Sequence, residues 1–389
     1  MEFSKKQKQF YDLALSGESL FLTGKAGTGK TFVVKKVIKE LSKSKRVAVV
    51  APTGVAANNI GGATIHSTFN LDLFSVLTYD NCKFLKTSKR DVLKKIDVLF
   101  IDEVSMLRVD MFDAMHWTLK KNGCKGLDEI QIVIIGDLKQ LPPVIDDNFK
   151  SILLKNYNGY NFQYSDIYKK VNIKNIELDE ILRQSDNEFI ENLNLIRDGK
   201  KAPYFRKFIN NAPKGIVLAP HNHTVKKYNV EGLKKIKEKS YFFKADIQGN
   251  VKASDFNFED NLELKNGAKI MYLVNSKNNN LVNGTIGVFK VLDNKFFISV
   301  GNVDYKIEPV KAEKKEYVYD KELDALVLTE TGSITQLPVK LAYAISIHKS
   351  QGMTFEEVTL DLTQNCFSEG QLYVGLSRVT GPNGLTIIK

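Results

Sequence analysis

Short apolar runs alternate with amphipathic stretches over residues 19–136. SLFLT precedes a helix predicted from about Lys30 to Leu41, RVAVVA precedes one starting after Gly54, and DVLFID precedes one over about Val109–Lys121; IQIVIIG closes the series. Strands that are apolar throughout, with amphipathic helices between them, predict a parallel sheet covered on both faces. Residues 70–96 break this rhythm without a clean strand and read as a small insertion. A second alternating block begins near Ile173, with GIVLA at 215–219 and a lysine-rich helix over about 225–237. From about Ser240 to Val339 the pattern changes to strands and turns, which predicts a β-domain, most simply a small barrel inserted into the second α/β domain. Alternation resumes with AYAISIHKS, VTLDL and GLTIIK. The expected organisation is a first α/β domain over 1–170, a second over 171–239 and 338–389, and an inserted β-domain over 240–337.

Composition narrows the class. With 389 residues, 43% hydrophobic and 26% charged, the chain is an ordinary globular one with room for two or three cores. No apolar run reaches the roughly 18 residues of a membrane span, and acidic residues interrupt the N-terminal apolar stretch where a secretory signal would need continuity. A soluble, intracellular protein, cytoplasmic in a bacterial or phage host, is expected. Cys82, Cys124 and Cys366 are widely spaced and fit neither a disulfide framework nor a zinc site. The net charge of +11 suits an anionic partner such as nucleic acid, although the same lysine excess follows from an AT-rich genome. Arginine occurs only at positions 46, 90, 108, 183, 197, 206 and 378.

The chemistry starts at GKAGTGKT, residues 24–31, which has the G-x-x-x-x-G-K-T spacing directly after a predicted strand and at the opening of a helix. Gly27, Thr28 and Gly29 let backbone N–H groups close around phosphates at a helix N-terminus, Lys30 reaches the β- and γ-phosphates, and the Thr31 hydroxyl binds Mg²⁺. ATP and Mg²⁺ are the expected ligands. DVLFIDE, residues 97–103, ends an apolar strand in two carboxylates. In isolation such a pair reads as solvated charges; after a P-loop, Asp102 suits Mg²⁺ and Glu103 suits the base that activates water. Asp137 and Gln140 follow the next strand, where a glutamine can sense the γ-phosphate.

SKKQ, GKAGTGKT, APTGVAA, GGATIHS, DEVSMLRVDMFDAM, GDLKQLPPV, LDEILRQ, LVNGTIGVF, AISIHKSQGMT and GQLYVGLSRV occur in the order of helicase superfamily one. Their wording resembles the petite integration frequency (PIF) family of DNA helicases over nearly the whole chain. The resemblance implies two RecA-like P-loop motor domains with parallel sheets, a small wedge insertion in the first and an SH3-like β-barrel insertion in the second. It implies an ATP-dependent DNA helicase moving 5′ to 3′, monomeric, acting on single-stranded and duplex or fork DNA. Gln7 resembles the adenine-reading glutamine, and Arg183 and Arg378 the two arginines set on the γ-phosphate. Pro52, Thr53, Thr64, His66, His348 and Ser350 resemble the residues that face single-stranded DNA, and Phe69 is a candidate for stacking on a base. Phe74, Leu77, Tyr79 and Phe84 are candidates for the strand-splitting wedge, while His221 and His223 read as surface loop. An ATP-gated clamp, an RNA helicase, a P-loop ATPase unconnected with nucleic acid and a RecD-like or phage recombination-type helicase are the alternatives.

Overall fold

The computed structural model describes residues 3–72, 75–181, 186–249, 251–274, 281, 283–320 and 322–389. The chain forms two compact units: residues 1–183 with 314–331, and residues 184–313 with 332–389.

In the first unit the elements run α1 (Lys5–Leu15), β1 (Leu20–Gly24), α2 (Lys30–Leu41), β2 (Val47–Ala51), α3 (Gly54–Ile60), β3 (Ala63–Thr64), α4 (Ile65–Phe69), α5 (Thr87–Lys94), β4 (Val98–Ile101), α6 (Val109–Lys121), β5 (Gln131–Ile135), α7 (Asp147–Asn156), α8 (Asp166–Lys170) and β6 (Lys174–Leu178). Six parallel strands make one sheet in the order β3-β2-β4-β5-β1-β6. Alternate residues of its strands feed two cores, as the two-residue period of a strand requires. Leu20, Leu22, Phe100, Val133 and Ile135 join Phe10 of α1 and Val33, Val34 and Val37 of α2. Phe21, Leu99, Ile101, Ile132 and Ile134 join Met111, Phe112 and Met115 of α6 on the other face. The central strands are buried on both faces, so their apolar runs are continuous.

Two boundaries differ from the sequence expectation. Strand β6, expected to open the second domain, pairs in parallel with β1 from Leu20↔Lys174 to Gly24↔Leu178 and so completes the first sheet. Residues 314–331, expected inside the β-domain, belong to the first unit. Their anchor is Tyr317, buried in the first unit's core, whose hydroxyl accepts the Val49 N–H at 2.8 Å where the two-residue strand β3 no longer covers the edge of β2. Arg46 holds Asp97 through two 2.8 Å hydrogen bonds and reaches Asp324 at 3.3 Å, and Lys89 pairs with Glu316.

The second unit carries α9 (Asn187–Arg197), β7 (Ile216–Ala219) and α10 (Asn222–Lys234), then the antiparallel strands β8 (Ser240–Lys244), β9 (Asp246–Gly249), β10 (Asn261–Lys265), β11 (Lys269–Tyr272), β12 (Ile286–Leu292), β13 (Lys295–Val300) and β14 (Val303–Lys306). Two long strands, β15 (Val310–Asp320) and β16 (Ala325–Gln336), follow, then β17 (Val339–Leu341), β18 (Ala344–Ser346), β19 (Val358–Asp361), α11 (Gln371–Leu376) and β20 (Leu385–Ile388). Strands β18-β7-β19-β20 form a second parallel sheet. The inserted strands pair as a five-stranded sheet, β14-β13-β12-β11-β17, and a two-stranded one, β10-β8. Both share one core of Leu262, Leu264, Ile270, Phe289 and Ile298, with the Phe243 and Phe296 rings edge-on at 4.9 Å. Among the described residues no helix is long and apolar enough to cross a membrane.

Candidate nucleotide site and nucleic-acid interface

Strand β1 ends at Gly24, and the loop that follows turns into α2 through Gly27 and Gly29, whose φ angles of 83° and 77° lie where a side chain is strained. A Cβ at Gly24 would stand 2.7 Å from the Leu178 carbonyl oxygen, so this glycine lets β1 and β6 pack closely. Within the loop the Lys30 ammonium donates to the carbonyls of Gly24 (2.6 Å) and Lys25 (3.1 Å), and the Thr28 hydroxyl donates to Lys25. The loop thus opens the N-terminus of α2 with a cation folded over it. Gln7 closes the back: its Oε1 accepts the Ser4 N–H in a capping box that starts α1, and its Nε2 donates to the Thr28 carbonyl at 3.3 Å. Its side chain is buried, so the glutamine ties the first helix to the phosphate loop.

All strands of the first sheet are parallel, so the segments leaving β1, β4 and β5 emerge at one edge. Order β4-β5-β1 sets the two carboxylates, the Asp137–Gln140 loop and the phosphate loop side by side. The Asp102 carboxylate accepts the Glu103 N–H at 2.9 Å. Burial, then the adjacent Glu103 charge, pushes its pKa up to about 7 against the pull of Lys30 and Lys35. A cation beside this carboxylate would remove that penalty, and hydroxyl plus carboxylate is the hard oxygen donor set that Mg²⁺ prefers. Thr31, Asp102 and the nucleotide's own phosphates therefore fit Mg²⁺. Glu103 takes φ 50°, a left-handed conformation that a non-glycine residue rarely adopts and that recurs at functional sites. Asp137, fully buried, accepts the Lys139 N–H at 3.1 Å, and Gln140 Nε2 lies 3.5 Å from its other oxygen.

Arg183 lies outside the described residues. Arg378 is 2% exposed, its guanidinium donating to the carbonyls of Val374 and Met353 and to the Ser377 hydroxyl, all within the second unit.

The expected DNA contacts divide. Pro52 and Thr53 are partly exposed, and the Thr53 hydroxyl accepts the Ala56 N–H at the start of α3. Thr64 caps α4 by accepting the Ser67 N–H. His66 is neutral at physiological pH, because burial and then the Arg108 cation lower its pKa to about 4. His348 is partly exposed, and burial lowers its pKa also. Two assignments are corrected. Phe69 is 1% exposed because its ring packs in the first unit's core, and the Ser350 hydroxyl is buried and donates to Ile347 O at 2.7 Å. Neither side chain presents itself to a strand.

In the insertion Leu77 is buried, whereas Tyr79 and Phe84 are 51% and 76% exposed; Phe74 lies outside the described residues. Lys121 of α6 holds its ammonium 5.0 Å from the Tyr79 ring and 5.4 Å from the Phe84 ring. Sequence reasoning gave no role to Arg108, Asp110 and Asp113, although all three stand in the DEVSMLRVDMFDAM signature. Arg108 forks onto Asp110 and donates to Ser75 O, and Asp110 accepts the Leu77 N–H, so the pair roots the insertion on α6. Asp113 accepts from the hydroxyls of Tyr157 and Ser165. The signal was the density of charge on a face that the helical period buries.

A family model described as PIF1-like helicase matches residues 2–207. The chain is 33% identical over 408 residues to the ATP-dependent DNA helicase Pif1 of Campylobacter jejuni, covering 96% of this chain and 89% of that protein. To the ATP-dependent DNA helicase PIF1 of Danio rerio it is 32% identical, covering 100% of this chain and 61% of that protein. Among solved structures, Bacteroides sp Pif1 in complex with ADP-AlF4 matches at a TM-score of 0.89 and 31% identity, and Bacteroides Pif1 bound to ssDNA at 0.72 and 32%, each over 100% of this chain and 92% of the other.

Proposed function

The chain belongs to the PIF1-like helicase family, and on that premise we propose that it moves 5′ to 3′ along single-stranded DNA and couples ATP hydrolysis to separation of duplex or forked DNA. The observation that carries the reading is the convergence of Lys30, Asp102, Glu103 and Gln140 at one edge of one parallel sheet. Lys30 and the backbone N–H groups after Gly27 hold the β- and γ-phosphates, with Gln7 behind the loop on the side of the adenine. Thr31 and Asp102 would hold Mg²⁺, which would supply positive charge to the β- and γ-phosphates. Glu103 takes the proton of the attacking water, and Gln140 reads whether the γ-phosphate is present. Arg378, together with Arg183, stabilises the charge on the transferring phosphoryl group.

Thr53, Thr64, His66 and His348 bind the strand's phosphates without reading bases, which suits a motor that must pass over any sequence. The exposure of Tyr79 and Phe84 supports reading these two rings as the wedge. The domain reading keeps RecA-like first and second motors with an SH3-like barrel between β7 and β18, the first motor now extending through β6. The chain acts as a monomer. Strand displacement on two partial duplexes tests the function: unwinding of the 5′-tailed substrate with ATP and Mg²⁺ is expected. Efficient unwinding of the 3′-tailed one would reverse the polarity, and failure on both would remove the helicase assignment.

A further inference from the structure

We propose that the exposed ring of Phe367, backed by His348 and flanked by His221 and His223, is a platform on which the second unit stacks bases of single-stranded DNA. The inference deepens the helicase reading and rests on it.

Phe367 is 62% exposed. One exposed aromatic ring means little by itself, but this one is held in a fixed array. Its ring lies nearly parallel to His348, 15° between planes and 5.7 Å between centroids, and 5.1 Å from the His221 ring, which in turn sits 5.4 Å from His223. Four rings from three separate segments therefore line up within the second unit.

Gln371, with no exposed surface, pins the segments. Its Oε1 accepts the Phe367 N–H at 3.1 Å, and its Nε2 donates to the Pro220 carbonyl at 3.2 Å, one residue before His221. The same Nε2 lies 3.5 Å from His348 Nδ1. His221 Nε2 is 3.2 Å from the Asn365 carbonyl, which fastens its ring to the segment that carries Phe367. The platform is thus built before any ligand arrives, and less ordering remains to oppose binding.

The occupant follows from chemistry and neighbourhood. His348 belongs to the segment assigned to the strand, and Phe367 continues that segment's surface with a π-face. Every base offers a π-face, so stacking gives affinity without sequence preference. Burial lowers the pKa of His348, which keeps the backing ring neutral at physiological pH.

The test compares Phe367→Ala, Phe367→Trp and the unmodified full chain by fluorescence anisotropy. One ligand is a thymidine oligonucleotide and the other an abasic chain with the same number of phosphates. Phe367→Ala should bind the thymidine strand about 5- to 150-fold more weakly, bind the abasic chain like the unmodified protein, and keep the same salt dependence, since no phosphate contact is lost. Phe367→Trp should restore binding. Equal loss on both ligands would make Phe367 structural, and no loss on the thymidine strand would remove the platform while leaving the helicase reading intact. If the unmodified chain bound neither ligand, the helicase reading would fail and the platform with it.

Discussion

In the proposed reaction Lys30 and Glu103 serve different parts, and substitution separates them. With Lys30 proposed to supply charge to the phosphates, Lys30→Ala is expected to abolish ATP hydrolysis. Glu103→Gln keeps the shape and loses the base, so kcat should fall by about 100-fold or more while binding of a fluorescent ATP analogue persists. Near-normal turnover in either variant would show the site misassigned. Lys340 gives a pH dependence. It is 7% exposed and donates to Asn257 Oδ1; burial, then repulsion from Lys349, lowers its pKa to about 7, with Glu259 opposing. Unfolded, the same amine stays charged to about 10.5. Between these values the unfolded chain binds one more proton, so stability at this residue rises with pH, by at most about 1.4 kcal/mol per unit. Urea midpoints at pH 7, 8 and 9 should climb in the unmodified protein and climb less in Lys340→Met; identical slopes would show that Lys340 is not desolvated.

At the scale of elements, the insertion shows what the sequence pattern could and could not say. Its position between α4 and β4 was legible because strand–helix alternation stops there. Which of its apolar residues turn outward was not, because that depends on where Arg108 and Asp110 root the segment and on Lys121 standing beneath Tyr79 and Phe84. The double variant Tyr79→Ala, Phe84→Ala is expected to keep most DNA-stimulated ATP hydrolysis and to lose strand separation. Normal unwinding by this variant would remove the insertion from the mechanism. Strand β6 and residues 314–331 were misallotted for a related reason. A strand of sequence KNIEL carries no mark of its partner, and a hairpin carries none of the edge it covers; the parallel register with β1 and the Tyr317 hydroxyl on Val49 are long-range pairings.

For the molecule as a whole, a net charge of +11 and the proposed phosphate contacts of several loops predict affinity for single-stranded DNA that falls log-linearly with salt, by about 0.7 in slope for each phosphate neutralised. Unrelated oligonucleotides of equal length should bind within a few-fold of one another. Salt-insensitive binding, or strong discrimination among them, would refute this. Family, nucleotide chemistry and the parallel-sheet scaffold were all legible in the chain, because each depends on residues close in sequence: a glycine pattern between strand and helix, two carboxylates ending an apolar run, a helical or strand period. Burial was the recurrent limit. Phe69 and Ser350 stand in motifs expected to face DNA, yet one fills a core and the other bonds its own turn, while Phe367, in no motif, is exposed beside a buried glutamine that accepts its N–H. A motif fixes which residues are near one another along the chain; which face of each is covered depends on how the folded segments pack and turn, and only the tertiary structure decides that.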